Sequence, residues 1–91
     1  METTPWDVTE YLENEERIAG YLDAAFEDGD PAVIKAAIAD VARARGMSAI
    51  AEQAGMSRAG LYKALGEDGN PTLSALLGIL KAMGVRLAVH A

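Results

Sequence analysis

Residues 47–65 read MSAIAEQAGMSRAGLYKAL, which is two short amphipathic segments joined at Gly55. A glycine there can take the left-handed conformation that a tight turn between helices requires. The inward-facing positions follow helical spacing, and they are Ile50, Ala51 and Ala54 in the first segment and Leu61, Ala64 and Leu65 in the second. The stretch therefore predicts a helix-turn-helix.

The second helix of this motif presents a polar and cationic outer face, of the kind that the DNA major groove accepts. Arg58 is the first candidate for base contact because a guanidinium can bond both acceptors of a guanine edge, although a phosphate contact or a solvated position is an equal alternative. Tyr62 and Lys63 lie about one turn further on and are assigned to the DNA backbone, with a half-buried structural role as the alternative for Tyr62. Ser48 and Ser57 are predicted to cap their helices and are also candidate phosphate donors. The candidate DNA-binding residues of the second helix also include Ala59.

Composition limits the class of protein. The 91 residues are enough for one domain with one core, and 51 % of them are hydrophobic. There is no cysteine, which excludes a disulfide framework and a thiolate metal site. Because no segment resembles a signal peptide or approaches the roughly 20 apolar residues of a membrane span, we expect a soluble, cytoplasmic protein without a membrane partner.

Charge is distributed unevenly along the chain. The net charge of −6 would disfavour nucleic acid if it were uniform. Residues 1–40, however, hold eleven acids and two cations, a net charge of −9, whereas residues 41–91 hold three acids and six cations, a net charge of +3. The carboxy-terminal half, which contains the helix-turn-helix, is thus the cationic end of an acidic protein, and the acidic end is expected to serve another purpose or to be a solvated face.

Turn and capping signals predict five helices in a domain over residues 14–84, preceded by an arm over residues 1–13. Trp6 in this arm is expected to pack onto the body, with a binding anchor as the alternative. Asn14 is a predicted cap for the first helix, and Asp28-Gly29-Asp30-Pro31 ends it and begins the second. The second helix ends with Arg43 and Arg45, which complement the helix dipole and are also candidates to reach phosphate. The last helix begins after Thr72 and ends at Gly84, with an apolar stripe of Leu73, Leu76, Leu77, Leu80 and Met83.

Residues 85–91 alternate in polarity and predict a short β-strand, with Val85, Leu87 and Val89 on one face. A single strand in a helical chain has no partner of its own and is unstable in water. The favoured interpretation is that it pairs with the same strand of a second copy, which makes Val85, Leu87 and Val89 the candidate dimerisation residues. The alternative is a tail that packs its apolar face on the last helix.

Over most of its length, residues 5–90, the chain resembles the addiction-module antidote proteins, HigA-like antitoxins within the lambda-repressor-like helix-turn-helix superfamily. The matching segments are Tyr21-Leu22, Gly29-Asp30-Pro31, Ala42-Arg43-Ala44-Arg45-Gly46-Met47-Ser48, Gly55-Met56-Ser57-Arg58, Leu61-Tyr62-Lys63-Ala64-Leu65 and Gly69-Asn70-Pro71-Thr72. The superfamily often carries a glutamine at the start of the first motif helix that contacts phosphate or base. This chain has Met47 and Ser48 in that region, and both join the candidate DNA-binding residues.

The resemblance implies a DNA-binding antitoxin of a type II toxin–antitoxin module. Such a protein neutralises a RelE/ParE-type ribonuclease toxin and represses the shared operon as a homodimer on double-stranded operator DNA. Two other functions are kept open, a stand-alone phage-type repressor and a protein-interaction module that has the fold without DNA binding. An enzyme is not expected, because the sequence holds no nucleophile with a base, no metal-ligand cluster and no phosphate loop. No cofactor is expected either.

Overall fold

The computed structural model describes Leu12 and residues 14–91. In this part the chain forms five α-helices, which we number α1 (Glu15–Asp28), α2 (Pro31–Arg45), α3 (Met47–Gln53), α4 (Arg58–Leu65) and α5 (Leu73–Ala82). The predicted all-helical class and the count of five helices are confirmed for the described residues. Trp6 and the rest of the predicted arm, apart from Leu12, lie outside them. None of the helices described here is both long enough and apolar enough to cross a bilayer.

The helix boundaries follow side-chain caps that the sequence signals. Asn14 Oδ1 accepts the Arg17 N–H at 2.8 Å, Asp30 Oδ1 accepts the Ala32 N–H at 2.9 Å, and Thr72 Oγ1 accepts the Ala75 N–H at 3.1 Å. Each bond satisfies an amide that has no partner within its own helix. Local chemistry therefore sets where α1, α2 and α5 begin.

Helix α2 is the centre of the fold, since it packs against α1, α3 and α4, and α3 packs in turn against α4 and α5. The buried side chains are all aliphatic or methionine, and no polar side chain is buried among the described residues. The side chains with almost no exposure are Leu12, Ile18, Ile38, Val41, Leu61, Ile79, Leu80 and Met83. The burial of these large apolar side chains is the main stabilising contribution.

The apolar stripe predicted for α5 is only partly in the core. Ile79, Leu80 and Met83 are buried, but Leu73 is 68 % exposed and Leu77 is 45 % exposed. The reason is that α5 packs mainly against α3, so that one side of the amino-terminal half of α5 has no neighbour among the described residues.

Residues 85–91 form no strand within the single chain. The predicted strand is therefore absent from the described structure, because a β-ladder needs a second strand and this chain supplies none. The alternative, a tail on the last helix, fits the start of the segment, where the Val85 N–H donates to Leu80 O of α5. The segment lies beside α1, and the two enclose a groove of about 460 Å³ that includes Leu22, Phe26, Val85 and Leu87.

A partly buried hydrogen bond joins α1 to α2. Tyr21 Oη donates to Asp40 Oδ2 at 2.6 Å. Asp40 also forms an ion pair with Arg43, which is one of the two arginines predicted to end α2. Burial, followed by the hydrogen bond to Asp40 and its negative charge, raises the pKa of Tyr21 to about 12, against the smaller opposing effect of Arg43.

The Tyr21–Asp40 bond predicts a loss of stability at alkaline pH. The unfolded chain releases the phenol proton near pH 10, whereas the folded chain holds it to about pH 12. The contribution of Tyr21 to stability is therefore complete below pH 10 and disappears as the pH rises through 12. Urea unfolding of the wild type and Tyr21→Phe should differ by about 1 kcal/mol at pH 8. The difference should narrow towards pH 11, and a pH-independent difference would contradict the assignment.

Candidate nucleic-acid interface

The turn of the helix-turn-helix has the predicted geometry. Gly55 lies between α3 and α4 with φ of 74°, the left-handed region that favours glycine. Ser57 then caps α4, because its Oγ accepts the Gly60 N–H at 2.9 Å. A Cβ at position 60 would lie 3.0 Å from that same oxygen, so the glycine leaves room for the cap. These contacts make Arg58 the first residue of α4, at its exposed end.

Two residues at the start of α3 differ from the prediction. Ser48 does not cap the helix, because α3 begins one residue earlier, at Met47, and its N-cap is Gly46, which offers no side-chain bond. Met47 is only 6 % exposed and belongs to the core, so only its backbone is available to a ligand. The side chain of Ser48 is exposed and faces α4.

Ser48, Arg58 and Tyr62 meet on the outer surface of the motif, and we call them the Arg58 cluster. Arg58 Nη1 donates to Ser48 Oγ at 3.5 Å and Nη2 donates to Tyr62 Oη at 3.4 Å. The guanidinium carbon also lies 5.5 Å from the centroid of the Tyr62 ring, within cation–π range. Hydrogen bonds of this length are weak, so the cluster orients the guanidinium while leaving its donors available to a stronger acceptor.

The remaining candidates lie along the same helix. Ala59 and Lys63 are exposed, and Tyr62 keeps 46 % of its surface exposed, which fits both a DNA-backbone contact and its half-buried structural alternative. Lys63 lies at the far end of α4, where it borders a hollow of about 310 Å³ together with Asn70. The predicted DNA-binding side chains, apart from that of Met47, are therefore exposed, but only Ser48, Arg58 and Tyr62 contact one another.

Sequence reasoning does not predict the lysine that binds the loop after α4. Lys35 Nζ, on α2, donates to the carbonyl oxygens of Gly66 at 3.0 Å, Glu67 at 3.0 Å and Gly69 at 2.7 Å. All three ammonium protons are used, on carbonyls that follow the last turn of α4. The lysine fixes the loop over residues 66–69, and a cation at a helix carboxyl end is also favoured by the dipole.

Replacing Lys35 with methionine should lower the free energy of unfolding by about 2 kcal/mol, because three carbonyls lose a charged donor. The exposed Lys81 on α5 provides a matched control, since its side chain makes no hydrogen bond or ion pair with another described residue. Urea unfolding followed by circular dichroism measures both variants. Equal stability of Lys35→Met and Lys81→Met would contradict the role given to Lys35.

Comparisons with known proteins identify the family to which the chain belongs. A family model described as "Probable addiction module antidote protein" matches residues 2–91. An uncharacterized protein of Haemophilus influenzae is 44 % identical over 85 residues, which cover 93 % of this chain and 88 % of that protein. No solved structure shows significant similarity to the chain. The match over nearly the full length means that the chain belongs to the family of probable addiction module antidote proteins.

Proposed function

We propose that this antidote is a DNA-binding antitoxin that acts as a dimer. It neutralises a ribonuclease toxin of the RelE/ParE type and represses the operon that encodes both proteins. Membership of the antidote family supports the proposal that a toxin is the partner. The exposed Arg58 cluster is the observation that carries DNA binding.

The Arg58 cluster has the chemistry of a groove-reading surface. It lies at the amino-terminal end of a short exposed helix, where helix-turn-helix proteins contact base edges. The guanidinium and the two hydroxyls are hydrogen-bonding groups that match base edges and phosphates. The half of the chain that contains them has a net charge of +3, which favours a polyanion.

Helix α1 is the surface proposed for the toxin. Its acidic side chains are exposed, and they are Glu15, Glu16, Asp23, Glu27 and Asp28. A ribonuclease must hold RNA phosphates with cations, so an acidic face is complementary to it and would speed association. Helix α2 separates α1 from α3 and α4. In this arrangement toxin and operator occupy opposite sides of the antitoxin.

The dimer is proposed to form through residues 85–91. Val85 N–H donates to Leu80 O at 3.1 Å, but no backbone hydrogen bond joins residues 86–91 to the rest of the described chain. Their amides and carbonyls are open to another strand. Two-fold pairing would present both copies of α4 to one duplex, as a two-fold operator requires.

Operator binding tests the DNA half of the proposal. Purified protein should shift a fragment of its own promoter at low salt, and the affinity should fall steeply as salt increases, because bound cations release counterions from the duplex. A promoter fragment with scrambled sequence serves as the control. If neither fragment is shifted at low salt, DNA binding is excluded and the protein-interaction alternative is favoured.

Co-expression with an adjacent toxin gene tests the other half. The wild type should restore growth, and so should Arg58→Ala, because α4 lies away from the proposed toxin surface. A double reversal at the far end of α1, Glu27→Lys with Asp28→Lys, should fail to restore growth yet still shift the operator. If growth is restored by no variant, or if no toxin gene is adjacent, a stand-alone repressor becomes the better interpretation.

A further inference from the structure

We propose that the carboxy-terminal segments of two copies pair antiparallel in one register, centred on Leu87, and that Val89 of each copy is seated against α1 of the other. The proposal rests on the dimer of the proposed function and adds to it the register and the receiving surface. That surface is the groove between α1 and residues 85–90, which we call the α1 groove.

The apolar side chains of the segment are progressively less covered along the chain. Val85 packs against the core, Leu87 is 41 % exposed where it borders the α1 groove, and Val89 is 97 % exposed. Val89 is the most exposed large apolar side chain in the described part of the molecule. Val89 lies beside the apolar α1 groove but does not line it. A neighbouring chain that covered both Val89 and the groove would remove apolar surface from water, which is stabilising.

Antiparallel geometry limits the possible registers. Residues directly opposite share a face, so an apolar residue faces an apolar one only when the two positions are both odd or both even. Centring on Leu87 gives three apolar pairs, which are Leu87 with Leu87, Val85 with the partner's Val89, and Val89 with the partner's Val85. Centring on Arg86 or Ala88 gives only two pairs between valine and leucine, and the Ala88 register adds only pairs that contain alanine. The Leu87 register therefore pairs the most large apolar side chains with one another.

Charge favours the same register. Centring on Arg86 places two arginines directly opposite each other, which is destabilising. The Leu87 register instead puts each Arg86 opposite the partner's Ala88, and it puts His90 opposite Gly84. Gly84 lies against Glu15, since a Cβ built on it would be 2.8 Å from Glu15 Cγ. The imidazole of one copy thus approaches the acidic start of α1 in the other.

This register also gives each exposed valine a defined neighbour. Val85 borders the α1 groove together with Ala19, and both also border the adjoining hollow next to Glu15 and Glu16. The partner's Val89, placed opposite Val85 and on the same face, would lie over this small-residue part of α1. Glu15 and Glu16 then face a partner segment whose side chains include Arg86 and His90. The same hollow is bordered by Lys81 and Arg86 of the receiving chain, so the charge complementarity involves the two carboxylates alone.

Single cysteines test the register, because the natural chain has none. Opposite residues of an antiparallel pair have Cα atoms about 4.5–5.5 Å apart, within disulfide range. A residue one position from the centre is about 8 Å or more from its own copy in the partner, which is too far. Leu87→Cys should therefore cross-link to a dimer on mild copper–phenanthroline oxidation, whereas Arg86→Cys and Ala88→Cys should remain monomeric on a non-reducing gel.

The outcomes separate the register from the proposed function. Preferential cross-linking of Ala88→Cys or Arg86→Cys would overturn the Leu87 register while leaving a dimer. A wild type that is dimeric by light scattering and binds operator, with no cross-link from any of the three, would overturn strand pairing alone. A monomeric wild type that shifts no operator would overturn both this proposal and the dimeric repressor.

The seat of Val89 has its own test. Val89→Glu should raise the dimer dissociation constant at least tenfold, because it brings a carboxylate to the acidic start of α1. Leu73→Glu is the matched control, because Leu73 is also an exposed apolar residue but lies on α5. This variant should leave the dimer unchanged. Circular dichroism checks that both variants are folded. If the two variants dimerise equally well, Val89 is not seated there, and the groove is left to another occupant such as the toxin.

Discussion

Replacing Gly69 with alanine is expected to lower the free energy of unfolding by about 3 kcal/mol, at the upper end of what overpacking usually costs. Gly69 lies directly against the last turn of α4, and a Cβ there would overlap the carbonyl oxygens of Lys63 and Ala64. These are backbone atoms, which cannot rotate aside as a flexible side chain would. The loop must move, and the bond from Lys35 to the Gly69 carbonyl moves with it.

Gly20→Ala is the matched control, with an expected effect of the opposite sign. Gly20 is in the middle of α1, and a Cβ there would meet nothing within 4 Å. Alanine should stabilise that helix by up to about 1 kcal/mol. Urea unfolding by circular dichroism measures both variants, and a Gly69→Ala protein as stable as the wild type would mean that the loop is not tightly packed on α4.

Replacing Arg58 with alanine should weaken operator binding about tenfold to a hundredfold, which corresponds to the 1–3 kcal/mol of a bidentate contact to guanine. Stability should hardly change, because the side chain is exposed and its two hydrogen bonds, at 3.5 Å and 3.4 Å, are long. Titration of a labelled operator at fixed salt measures the loss. Lys81→Ala removes the same charge near α1 and should have little effect on the operator complex.

Arg58→Lys separates the two roles that the sequence leaves equal. A lysine keeps the charge but lacks the planar fork, so a base contact would stay lost and a phosphate contact would be largely restored. If alanine at position 58 leaves operator affinity unchanged, the Arg58 cluster is not the reading surface.

Much of this fold could be predicted from the sequence because its determinants are local. Asn14, Asp30, Ser57 and Thr72 each cap a helix within three residues of their own position. Gly55 takes the left-handed backbone conformation that the turn requires. The DNA-facing candidates on α4 follow from the same local pattern once its inward face is known.

What the sequence could not supply depends on contacts between distant residues. The Ser48–Arg58 contact spans ten positions and requires the angle between two helices, so Ser48 was interpreted from its local context alone as a cap. The family resemblance makes Met47 a candidate DNA-binding residue, although tertiary packing places its side chain in the core. Lys35 carries no signal at all, because the carbonyls that it bonds are 31–34 positions away and belong to the backbone.

That lysine has an evolutionary consequence. Backbone carbonyls exist whatever side chains the loop carries, so this contact constrains position 35 but not the side chains at 67 and 68. A relative that lacks lysine at position 35 should differ in the length of the segment that follows α4, or should supply a donor from another helix. Position 35 and loop length are therefore expected to change together across the family, and position 69 should remain glycine wherever lysine is kept.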